Sequence, residues 1–145
     1  MSFWSLPDEE KTADNVDDFL NKQIPRLAMQ AGISLTSLSS PQLSSAPAHG
    51  SSLNNTENKL QKGLNAIEVL QGIRYTMNQT HGIYSELLIQ YYLQNKPVWE
   101  IRNNLLINHD AFPKFKRDAL CRFAECWQNT QAKYDWDERI DLRIF

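Results

Sequence analysis

Cysteine is scarce in this 145-residue chain: Cys121 and Cys126 are the only two. They stand five positions apart in a segment of helical periodicity and so point to different faces. No CxxC pair occurs and His49, His81 and His109 are scattered, a spacing that argues against a zinc site and leaves the thiols as small core or surface residues. No apolar run approaches the roughly 18 residues of a membrane-spanning helix, so no membrane partner is expected. The opening "MSFWSLPDEEKTADN" lacks the basic-then-apolar pattern of a secretory signal, which makes a cytoplasmic protein the expectation. Gly-rich phosphate loops, nucleophile–base pairs and metal-ligand spacings are missing too. Glu57, Glu68 and Glu86 are isolated along helices and read as surface residues. No enzyme, catalytic residue or cofactor is therefore expected.

Net positive charge is also lacking, since the formal total is -2. That total is an average over unlike segments. Residues 1–30 sum to -3, residues 31–95 to zero, residues 96–133 to +3 and residues 134–145 to -2. Positive charge is thus local to one stretch, and local charge is what a phosphate meets.

What is present is helical patterning. In "TADNVDDFLNKQIPRLAMQA" (12–31), Val16, Phe19, Leu20, Ile24 and Leu27 recur at helical spacing. Thr12 is the expected N-cap, Asp14, Asp17 and Asp18 suit the helix dipole, and Pro25 is expected to kink or split the element. Residues 32–55 are rich in Ser and interrupted by Gly32, Pro41, Pro47 and Gly50, with no charge between Leu27 and Thr56. This reads as a flexible linker, too long for a loop within one small domain, and favours a separate N-terminal element over 1–31.

From Thr56, the expected cap, a helix resumes to residue 79 with Leu60, Leu64, Ile67, Leu70, Ile73 and Met77 as its stripe. Gly63 and Gly72 each weaken it by roughly 1 kcal/mol relative to Ala. The stripe suits intrachain core or the seam of a homodimer through 56–79. Helices follow at 83–94, with Ile83, Leu87, Leu88, Tyr91 and Tyr92 apolar, and at 98–106, with Val98, Ile101 and Leu105 together and Trp99 flanking. Asn95-Lys96-Pro97 separates them.

After a break at Ile107-Asn108-His109, Asp110 is the expected N-cap of a longer basic helix. Pro113 would then fall in the first turn, where a missing N–H removes nothing from the ladder. Phe115, Ala119, Leu120, Phe123 and Trp127 form its inward face. Two helices around a short break, the second longer and basic, is the helix-turn-helix layout. The expected fold is all-α: a small helical bundle with a C-terminal helix-turn-helix domain over 56–133, preceded by a separate N-terminal helix and flexible linker. The tail over 134–145 reads equally as a docking strand, a frayed end or a partner-binding segment.

The chain resembles the ArpU-type transcription regulators of Gram-positive phages and prophages, whose C-terminal half is similar to the region-four helix-turn-helix of sigma factors. "LPDEEKTADNVDDFL", "GSSLNNTENKL" and "WEIRNNLLINHDAFPKFKRDALCRFAE" carry the resemblance. Leu106 stands where the family usually has a glycine in the turn, Arg102 where it has a small alanine, and Pro113 where it has an aromatic. The resemblance implies a regulator of phage late genes acting on double-stranded DNA in the cytoplasm of a bacterial host. In that role Lys114, Lys116 and Arg117 neutralise phosphates, while Asn108, His109, Ala111 and Phe112 approach base edges. Phe112 alternatively completes the core. A protein-interaction module on the same fold, docking on RNA polymerase or another regulator, is the alternative, and a DNA-packaging subunit is a third.

Overall fold

The computed structural model describes residues 4–34 and 54–145, apart from the side chains of 54–64. Five helices make up a small bundle, with no strand among the described residues.

Helix α1 spans Glu9–Ala31. Its cap is Asp8, whose Oδ1 accepts the Lys11 amide at 2.9 Å, and Glu9 and Glu10 add negative charge to the first turn. Thr12, the expected cap, lies one turn inside the helix and is fully buried. The helix also runs through Pro25 without a split. Pro25 is exposed, as is Asn21, whose carbonyl loses its helical partner, while Ile24, Leu27 and Ala28 are held in the core on either side. Gly32 ends the helix at φ 71°, and Ile33 donates back to Ala28 at 3.1 Å.

Helix α2 spans Asn54–Gln79, so Thr56 is within it and does not cap it. Leu70, Ile73 and Met77 are buried in the core shared with α1 and α5, and Ile67 is buried as well, which leaves none of these four for a dimer seam. Leu60, Leu64 and Gly63 lie outside the described side chains, as does the expected linker over most of its length. Helix α3, Gly82–Leu88, widens into a single π turn over Ile89–Leu93. Asn95, at φ 51°, and Pro97 then separate it from α4, Val98–Leu105, and α5 spans Phe112–Tyr134.

The main core joins α1, α2, α5 and the π turn. Leu20, Ile24, Leu70, Ile73, Leu93 and Phe123 are among its largest fully buried side chains. The N-terminal helix, set apart in the sequence, thus belongs in space to the bundle. Two further contacts seal it. Gly72 lets the Trp136 indole lie against α2, where a Cβ would come within 2.7 Å of the ring. The indole N–H of Trp136 donates to Glu68 at 3.1 Å.

The C-terminal tail docks as an extended strap. Asn15 donates to the Leu142 carbonyl at 2.9 Å, the Ile144 amide to Thr12 Oγ1 at 2.9 Å, and the Asp8 amide to the Ile144 carbonyl at 2.7 Å. Gln131 brackets Ile140, accepting its amide at 2.7 Å and donating to its carbonyl at 2.8 Å. Leu142 is buried.

Candidate nucleic-acid interface

A second, smaller core lies where α3, α4 and α5 meet: Leu87, Ile101, Ile107 and Phe112, flanked by Ile83, Tyr91, Leu105, Ala111 and Phe115. It holds the six-residue turn between α4 and α5, longer than the expected break. Leu106 begins that turn in the left-handed region, at φ 56° and ψ 43°, with 92% of its surface exposed. It therefore performs the backbone task for which glycine is usual. Ile107 then dips into the small core, and its amide donates to the Arg102 carbonyl at 3.0 Å.

Asn108, not Asp110, prepares the start of α5. Its Oδ1 accepts the Ala111 amide at 3.0 Å, and its carbonyl receives the amides of Ala111 and Phe112 at 3.2 Å each. An Asn side chain reaching its own backbone downstream makes this type of turn favourable. Asp110 projects into solvent, 3.3 Å from His109 Nδ1. Pro113 is the second residue of α5 and costs the ladder nothing there.

The seven expected DNA-contact residues separate into three groups. Asn108, His109 and Lys114 are exposed together around the lip of the turn and the first turn of α5, with Ala111 half-buried among them. Phe112 is only 6% exposed and belongs to the small core, so it supports the surface from beneath and is not available to a base edge. Lys116 and Arg117 turn toward α1 and are half-buried. Lys116 Nζ lies 3.6 Å from Asp17 Oδ1, donates to the Tyr91 hydroxyl at 3.1 Å and sits 4.2 Å over the Tyr91 ring. The Tyr92 hydroxyl also donates to Asp17. Burial first, then the Asp17 hydrogen bond and charge, push the Tyr92 hydroxyl far above its ordinary pKa and keep it a donor. The Nε of Arg117 and that of Arg102 are buried without a hydrogen-bond partner among the described residues.

Two features of this corner were not anticipated. Arg122, eight residues beyond Lys114, is exposed with its guanidinium 4.0 Å over the Tyr84 ring, and adds a cation to the outer side of α5. Its spacing from Lys114 was a usable signal. On α4, Trp99 is 62% exposed and shares the outward face with Asn103, and Leu106 is exposed just beyond the helix end.

Burial pushes the Cys121 thiol up to about 11 and raises Cys126 as well. Among the described residues no group of three His, Cys, Asp or Glu is placed to hold a metal ion, and no helix is long and apolar enough to cross a membrane. No protein-family model, curated protein or solved structure matches the chain.

Proposed function

We propose that the chain is a DNA-binding transcription regulator that uses α4, the intervening turn and α5 as a helix-turn-helix. The ArpU-type resemblance points the same way and implies phage late genes as the target. The observation that carries the reading is Leu106: held left-handed and almost fully exposed, it keeps the turn between α4 and α5 in place of the glycine. The small core then fixes α5 so that Asn108, His109 and Lys114 face outward around its N-terminus. The unpaired amides and dipole of a helix N-terminus favour an approaching phosphate. Lys114 and Arg122 serve the backbone, and Asn108 and His109 are the candidates for base edges.

The test is binding of the purified chain to phage late-region duplex across a salt series. Affinity should fall steeply with salt, and Lys114→Ala should reduce the magnitude of the log–log slope by about 0.9. No binding at low salt sinks the reading.

A second reading, docking on RNA polymerase or another regulator, is favoured by the exposed Trp99 of α4 and Leu106 of the turn that follows it, apolar side chains that DNA backbone does not require. It predicts that Trp99→Ala leaves DNA affinity intact while abolishing transcriptional control in a reconstituted assay. Loss of DNA affinity in that variant would assign α4 to the duplex.

A further inference from the structure

On α1, Glu10, Asp14 and Asp17 follow at intervals of four and three residues and so share one helical face. On α5, Pro113, Lys116, Arg117 and Leu120 do the same. These two edges form opposite walls of an open cleft of about 400 Å³. One ion pair spans it, Lys116 to Asp17, and no other closes it among the described residues. The acidic wall is firmly built. Tyr92 holds the Asp17 carboxylate, and the strap holds the N-terminal half of α1 through Asp8, Thr12 and Asn15.

We infer that Glu10, Asp14 and Asp17 are intramolecular competitors of DNA phosphate for Lys116 and Arg117, and that this acidic edge sets how tightly α5 grips a polyanion. The inference rests on the DNA-binding reading above. A phosphate reaching α5 beside the cleft comes within the Debye length, about 8 Å at physiological salt, of three carboxylates. Lys116 can meet it only by giving up Asp17 and the Tyr91 hydroxyl. Sequence-independent binding is weakened most, because it depends on phosphate contacts alone. Base contacts from Asn108 and His109 are untouched by this competition, so the acidic edge widens the gap between matched and unmatched DNA.

The experiment compares wild type with Glu10→Gln/Asp14→Asn, Asp17→Asn and the control Asp18→Asn. Asp18 neighbours Asp17 in sequence but pairs with Lys22 at 3.1 Å and does not line the cleft. Two readouts are used, the salt needed for elution from heparin and affinity for random-sequence duplex, with thermal unfolding followed by circular dichroism to verify folding. Removing two charges at about 8 Å in a water-like dielectric should tighten duplex binding about five-fold at low salt. The gain should fade as salt rises, and elution should shift to higher salt. Asp17→Asn should steepen the salt slope by about 0.9, one further cation being released to phosphate. Asp18→Asn should change either readout far less. Equal effects from Asp18→Asn and the cleft variants overturn the inference, since net charge alone would explain both. So does a double variant indistinguishable from wild type on heparin and duplex. A heparin shift with no duplex binding by any form supports the competition and defeats the DNA reading, so the two fail separately.

Discussion

Around Phe123, three long helices and a π turn close a core reinforced by a run of aromatic contacts, with Phe19, Phe123 and Trp136 each packed on Trp127 at centroid distances of 5.5–5.7 Å. Beneath the turn, only Leu87, Ile101, Ile107 and Phe112 are buried, and half-exposed neighbours complete the packing. The large core draws on four elements, so many contacts share the task of fixing it. In the small core Ile107 and Phe112 bracket the backbone that carries Asn108 and His109, with Leu87 and Ile101 packed beneath. Stability is thereby concentrated in one region and the candidate DNA surface in another, the arrangement expected where a working surface is drawn from the less stable part of a fold.

That contrast can be broken most forcefully at Phe123. Phe123→Ala should cost about 3–5 kcal/mol in urea unfolding and melt the whole bundle. Ile101→Ala should cost less globally, about 2 kcal/mol at the low end for a buried aliphatic truncation. Its signature is regional: amide exchange should accelerate across α4 and residues 106–111, DNA affinity should be lost, and Leu20 and Ile24 should keep their protection. Equal acceleration in α1 would show that the two cores unfold as one unit. Gly72→Ala sets a gain of about 1 kcal/mol in helix propensity against an overpacking cost of about 1–3 kcal/mol. A small net loss is expected, with a change in tryptophan emission as the Trp136 ring is displaced from Glu68. The smallest effect is at Leu106. Leu106→Gly relieves a left-handed non-glycine residue while removing a side chain that packs on little, for a net gain of about 0.5–1 kcal/mol. A loss there would mean that the Leu106 side chain contributes contacts despite its exposure.

The apolar stripes were legible because helical period is local information. Val16, Leu20, Ile24 and Leu27, and likewise Ala119, Leu120, Phe123 and Trp127, are buried as their spacing indicates. Caps were less legible, because several residues of suitable type compete within a few positions. Thr12 yields to Asp8 since its hydroxyl is engaged by Ile144, 132 residues away, and Asp110 yields to Asn108 at the turn. The candidate DNA surface was legible as a segment and not as a face. Segment charges indicated a basic stretch over 96–133, most of whose cations lie on α5. They carried no information that α1 would lie alongside and engage Lys116, because that neighbour is fixed by tertiary packing. Phe112 could be read either way until Ile101 and Ile107 were placed beside it.

The strap also constrains how the protein is made. Asn15 and Leu142 stand 127 positions apart and Thr12 and Ile144 132, so translation delivers α1 long before the strap. Until residues 112–144 have been made, α1 has neither α5 nor its strap to pack on, so its acidic edge cannot be seated. Final closure of the bundle must therefore follow synthesis of residue 144.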